Sequence, residues 1–225
     1  AIKPDLTASL EAENAPQPLA VPDPPLEGSI ELRAISFGYP GKQDMALKHL
    51  NMLIPRNTTV GIVGASGAGK STVIDLILGL IDPDEGALVI GGTPITGDNK
   101  RQWQRQIGFV PQSIFLSEGS ITENIAFGLT AEQVDLEKVK RAAHLAHLDE
   151  LIVSLPKGLE TRVGERGVQL SGGQRQRVGI ARALYDDASV LVFDEATSAL
   201  DGITENAIMT AIHELTGQKT IILIA

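Results

Sequence analysis

Cysteine is missing from this 225-residue chain, which excludes a disulfide framework and a thiolate metal site. A surplus of positive charge is missing as well. Its 19 lysines and arginines face 28 aspartates and glutamates, and the formal charge of −9 argues against a nucleic-acid partner, whose binding surface calls for a basic stripe. No apolar run approaches the roughly 20 residues that cross a bilayer, and no basic-then-apolar signal segment opens the chain. His49, His144, His147 and His213 have no spacing that closes a metal site and suit surface or packing roles. No internal repeat is visible. What is present is 43% hydrophobic and 21% charged, the make-up of an ordinary globular protein with length for one large or two small domains.

The strongest local signal is Gly64-Ala65-Ser66-Gly67-Ala68-Gly69-Lys70-Ser71-Thr72, which fits G-x-x-x-x-G-K-[ST]. Glycines let such a loop curl until several backbone N–H groups point at one anion, and a helix that begins there adds its positive end. Lys70 then reaches the β- and γ-phosphates of a nucleotide, and the Ser71 hydroxyl helps to hold Mg²⁺. The flanks agree: Thr59-Val60-Gly61-Ile62-Val63 reads as a buried strand, and Val73-Ile74-Asp75-Leu76-Ile77-Leu78 as a helix.

Residues 1 to about 28 are rich in proline, alanine and acid, a composition that buries little and reads as a linker. Folding is expected from Ser29. Ile30, Leu32, Ile35 and Phe37 predict half-exposed antiparallel strand, and 46–54 a second strand of the same sheet. Asn57 suits a positive φ in the turn Pro55-Arg56-Asn57. After the turn at 82–86 come a short strand (87–90), a polar helix (100–106) anchored by Trp103, and a strand (107–110) ending at Pro111-Gln112. From 120 to about 155 the pattern turns helical, with Leu136, Val139, Ala143 and Ala146 on one face. A helix over 171–185, an apolar strand over 190–193, a helix over 200–215 with Ala207, Ile208, Ala211 and Ile212 inward, and a last strand over 220–225 complete the chain.

Two further stretches carry chemistry. Val190-Leu191-Val192-Phe193-Asp194-Glu195 is an apolar strand, buried on both faces, that ends in two acids. Alone it is an ordinary strand end. Beside a phosphate loop, Asp194 is placed to bind Mg²⁺, directly or through water, and Glu195 to polarise an attacking water as general base. In Leu170-Ser171-Gly172-Gly173-Gln174-Arg175-Gln176-Arg177, Ser171 suits a helix cap while Gly172 and Gly173 bare backbone N–H groups, which makes a second anion site.

Together these motifs resemble the nucleotide-binding domains of ABC transporters, over about residues 29–225. The family's A-loop aromatic matches Tyr39, its Walker A 64–72, its Q-loop Gln112, its signature 170–174, its Walker B aspartate Asp194, its catalytic glutamate Glu195, and its D-loop Ser198-Ala199-Leu200-Asp201. Ser120-Ile121-Thr122-Glu123-Asn124-Ile125 and Gly164-Glu165-Arg166-Gly167 look specifically like exporters, the latter like their x-loop. The segment 200–225 is similar to lipid-linked oligosaccharide flippases. Asn57 and Gly61 depart from the residues usual in the family, without touching the chemistry.

The resemblance implies an α/β P-loop NTPase core with a mainly parallel sheet, an N-terminal antiparallel β subdomain and an inserted helical subdomain at about 113–170. It implies ATP bound by Tyr39, Gly64, Ser66, Gly67, Gly69, Lys70, Ser71 and Thr72, with Mg²⁺ held by Ser71, Gln112 and Asp194 and hydrolysis by Glu195 and Gln112. It also implies a head-to-tail dimer in which Ser171, Gly172, Gly173 and Gln174 act on the nucleotide of the other copy, next to Asp201. The expected setting is the cytoplasmic face of the inner or plasma membrane, beneath a transmembrane domain that precedes residue 1. A soluble ABC ATPase or an importer subunit is the alternative. Repair-type ATPases carry long coiled coils, of which 72–170 shows no heptads. The chain has no initial Met and ends inside an apolar run, so both ends read as cuts. The family's switch histidine would be the next residue after Ala225. Ending there should leave 220–225 as an exposed strand edge, and should lower turnover by roughly 10²–10³ with affinity kept.

Overall fold

Ile30, Leu32 and Ile35 are all buried although their spacing breaks strict alternation. The strand β1 (Ile30–Phe37) accommodates this with a bulge. Ala34 takes φ 48, its N–H donates to Asn51 Oδ1 at 2.9 Å, and the extra residue turns Ile35 rather than Ala34 toward the core. The computed structural model of the chain describes residues 25–42, 44–164, 170–196 and 202–224. β1 pairs antiparallel with β2 (Leu47–Ile54) on one side and with β4 (Glu85–Ile90) on the other, and β5 (Thr93–Pro94) extends the sheet beyond β4. The packed part reaches back to Leu26, which lies against this core, and Arg56 pairs with Glu27 at 2.8 Å.

The second sheet is parallel, in the order β3 (Thr59–Ile62), β10 (Thr220–Ile224), β9 (Val190–Asp194), β6 (Ile107–Val110). Two expectations are corrected here. β3 is an edge among the described residues and half-exposed, with Val63 beyond it 77% exposed, so it is not a buried strand. β10, expected as an exposed edge, lies between β3 and β9 with Ile221 and Ile222 at 0% exposure. Helix α1 (Lys70–Ile77) buries Val73, Ile74, Leu76 and Ile77 between the two sheets. Trp103, on α2 (Lys100–Gln104), closes that core and donates its Nε1–H to the Ile77 carbonyl at 2.7 Å.

The predicted helical region resolves into short pieces: α3 (Ile121–Ile125), a 3₁₀ turn (Ala131–Gln133), α4 (Leu136–Leu145) and α5 (Asp149–Ser154). Before and after them the two-residue strands β7 (Gly119–Ser120) and β8 (Arg162–Val163) pair with each other. Val139, Ala142, Ala143 and Ala146 face inward toward α6 (Gly172–Tyr185), whereas Leu136, the first residue of α4, is 52% exposed. Arg182 on α6 ties this part to that helix. It donates to the Asn124 carbonyl at 2.8 Å and the Phe115 carbonyl at 3.1 Å, and its guanidinium stacks 4.6 Å from the Phe127 ring centre. The last helix, α7 (Gly202–Glu214), buries Ile208 and Ile212, while Ala207 and Ala211 are half-buried flanks.

Candidate functional site

The phosphate loop leaves β3 and enters α1 through two residues with positive φ, Gly67 at 80° and Gly69 at 87°. A Cβ on Gly69 would stand 2.9 Å from Leu47 Cδ2 and 3.1 Å from the Ala46 carbonyl, so both backbone angle and space demand glycine. The Lys70 ammonium is folded back onto the Gly64 carbonyl, where it closes the loop around the space an anion would fill. This loop forms one wall of a cleft of about 780 Å³ that is also lined by Tyr39, Lys42, Asp44, Gln112 and Glu195.

Of the residues expected to touch nucleotide, Tyr39, Ser66, Gly67, Gly69, Lys70, Ser71 and Thr72 line this cleft. Gly64 contributes its carbonyl to Lys70 instead. Phe37 meets the Tyr39 ring edge-on, with centroids 5.0 Å apart, and the Tyr39 hydroxyl shares a 3.1 Å hydrogen bond with Thr72 Oγ1. That bond orients the ring over the phosphate loop.

Gln112 and Glu195 are 83 residues apart in the chain, yet the Gln112 amide donates to Glu195 Oε2 at 2.6 Å. The parallel pairing of β6 with β9 brings their ends together. Glu195 itself has φ 46, and its N–H donates to the Ile224 carbonyl at 3.2 Å. The chain thus turns sharply as it leaves β9, which aims the acid into the cleft. Asp194 lies one residue deeper. Partial burial first, then the negative charges of Glu195 and Asp75, raise its pKa above the usual aspartate value, and Lys70 opposes them. Asp75 follows Ser71 by one helical turn on the same face of α1, and burial raises its pKa too. Asp194 is thus held among acids beside the cleft, although the described residues contain no cluster of three or more acids or histidines arranged to hold a metal by themselves.

Ser171, Gly172, Gly173 and Gln174 do not line this cleft. They open α6, where Ser171 Oγ accepts from the Gln174 N–H at 3.2 Å and Gln174 Oε1 accepts from the Ser171 N–H at 2.8 Å. This reciprocal cap uses the Gln174 side chain and does not engage the N–H groups of the exposed Gly172 and half-buried Gly173 in the same turn. Asp201 and the rest of 197–201, the exporter-like stretch 165–167, the linker residues 1–24 and Ala225 lie outside the described residues.

Residues 47–198 match the family model described as ABC transporter. The chain belongs to the ABC transporter family. It is 44% identical over 199 residues to the ATP-dependent lipid A-core flippase of Vibrio vulnificus (strain CMCP6), which takes in 88% of this chain and 34% of that protein. It is 42% identical over 198 residues to the protein of the same name from Escherichia coli (strain K12), again 88% of this chain and 34% of that one. The chain therefore spans about a third of the length of these curated relatives. Its fold superposes on a bacterial Atm1-family ABC exporter solved with ATP bound, with a TM-score of 0.83 and 36% identity, covering 98% of this chain and 39% of that chain. As an ABC ATPase it has the α/β core, antiparallel β subdomain and helical insertion expected of it.

Lys42 and Asp44 were not marked by any motif, since a lysine and an aspartate in a turn after an aromatic have no pattern of their own. The capping box at Ser171 was legible from its S-x-x-Q spacing.

Proposed function

We propose that this chain is the ATP-hydrolysing unit of a membrane exporter, at the cytoplasmic face, beneath a transmembrane domain in the same polypeptide. It works by closing head-to-tail on a second copy around ATP. The domain runs from about residue 26, where Leu26 packs on the core, with the helical subdomain at about 113–170 and the linker before it. The observation that carries this reading is the convergence of Lys70, Ser71, Gln112 and Glu195 on one cleft, with Asp194 directly behind them.

The base stacks on Tyr39, and the loop N–H groups take the phosphates while Lys70 leaves the Gly64 carbonyl for the β- and γ-oxygens. Ser71, Asp194 and Gln112 would hold Mg²⁺, which neutralises charge on those oxygens. Glu195 accepts the proton of the attacking water. Its Oε2 is already fixed by Gln112, so Oε1 is the atom free to act as base. Ser171, Gly172 and Gly173 of one copy meet the γ-phosphate bound to the other, where α6 presents its positive end. A soluble ATPase or an importer subunit would share the cleft. What distinguishes the exporter is a set of apolar spans of roughly 20 residues upstream in the same gene.

Calorimetric titration tests the site. Lys70→Ala should weaken ATP binding on the order of 10- to 100-fold, as loss of a charge-assisted bond predicts. Tyr39→Ala should weaken it by about tenfold through lost stacking. Unchanged affinity in the lysine variant removes the phosphate-loop assignment.

A further inference from the structure

Beside the phosphate loop the cleft is lined by Tyr39, Lys42, Asp44, Met45 and Ala46, of which only Tyr39 belongs to a sequence motif. The Lys42 N–H donates to the Tyr39 carbonyl at 3.1 Å, and this tight turn folds the lysine back so that Nζ lies 5.6 Å from the Tyr39 ring centre, inside the cleft. At its other end the turn reaches Ala46, whose carbonyl abuts Gly69 in the loop. The cleft-lining residues of this stretch therefore run from the Tyr39 ring to the phosphate loop, and a nucleotide carries its sugar between base and phosphates. Asp44 falls between Lys42 and Ala46 in the chain, exposed, lining the cleft, with no hydrogen bond or ion pair among the described residues.

We infer that Asp44 reads the ribose: its carboxylate accepts from the 2′- and 3′-hydroxyls and makes the site selective for ribonucleotides, while Lys42 covers the Tyr39 face until a base takes its place. An ionised carboxylate is an acceptor with two oxygens, which matches two neighbouring O–H donors. Charge decides where it acts. An acid beside the phosphates would repel them, whereas the adjacent 2′- and 3′-hydroxyls of the sugar offer two uncharged O–H donors between base and phosphates. The contact of Lys42 with Tyr39 is an exposed cation–π pair, weak enough to give way to base stacking.

The inference rests on the nucleotide site proposed above, and its test separates the two. The chain is titrated with ATP, 2′-deoxyATP and 3′-deoxyATP. Wild type should bind ATP about 3- to 10-fold more tightly than either deoxy form, the effect of one exposed hydrogen bond to a charged acceptor. Asp44→Ala should bind all three alike, at the affinity wild type has for the deoxy forms, and Asp44→Asn should fall between. Equal binding of all three by wild type, or discrimination that survives in Asp44→Ala, overturns the ribose reading and leaves the nucleotide site standing. Absence of any nucleotide binding by wild type overturns both.

Discussion

Asp194 is the residue on which stability and chemistry pull against each other. Burial and the charges of Glu195 and Asp75 raise its pKa in the folded chain. A raised carboxylate stabilises the fold fully below its unfolded pKa, and that contribution is lost as pH rises through the folded value. At neutral pH the ionised acid therefore weighs against the nucleotide-free fold. Asp194→Asn should melt at a higher temperature than wild type at pH 7 without nucleotide, and the gap should shrink as pH falls toward 4. The same variant should lose hydrolysis, and a melting temperature unchanged at pH 7 contradicts the electrostatic account. Placement in the cleft was legible where a loop's local spacing dictates it, as for Lys70 and Ser71. It was illegible where a contact depends on sheet pairing, as in the bond from Gln112 to Glu195. Nothing in the sequence placed Asp75 near Asp194, because that requires knowing which strand end lies above α1. The positive φ of Glu195 was equally hidden.

At the scale of elements, α6 approaches β6 closely. A Cβ on Gly108 would lie 2.3 Å from the Ala183 carbonyl and 2.8 Å from Leu191 Cδ2, and backbone cannot yield as a flexible side chain can. Gly108→Ala should thus destabilise by ~1–3 kcal/mol, lowering the melting temperature by about 2–4 °C for each kcal/mol. Thermal denaturation checks this, and an unchanged midpoint would show that the helix slides freely on the sheet. Arg182→Ala removes donors from the carbonyls of Asn124 and Phe115 and should unfasten the helical part first, seen as faster amide exchange in α3 with β9 still protected. Element types followed from periodicity, since buried β9 and amphipathic α4 each carry their own pattern. Sheet order did not. β10 inserts between β3 and β9 through pairs such as Ile222 with Val60, more than 150 residues apart, and an apolar five-residue run reads the same in the middle of a sheet as near its rim. The bulge at Ala34 was missed for a related reason: it is fixed by Asn51 on the neighbouring strand.

On the whole molecule, the two proposed anion-binding ends open at different places. The phosphate loop opens into the cleft with Glu195, while the capped start of α6 lies outside it. On the proposed reading, one copy would hold a nucleotide with the γ-phosphate side unfinished, and a second copy turned head-to-tail would supply the missing helix end. Each bound ATP would then join both copies, and hydrolysis would release them. Replacing Glu195 by glutamine takes away the base and keeps the binding groups, so ATP stays and the pair stays closed. The direct measurement is the solution mass of Glu195→Gln by light scattering with saturating ATP–Mg²⁺. The account predicts a doubled mass that reverts to the monomer without ATP, or when Ser171→Arg is added to block the helix end. A variant that binds ATP yet keeps the monomer mass at saturation contradicts it.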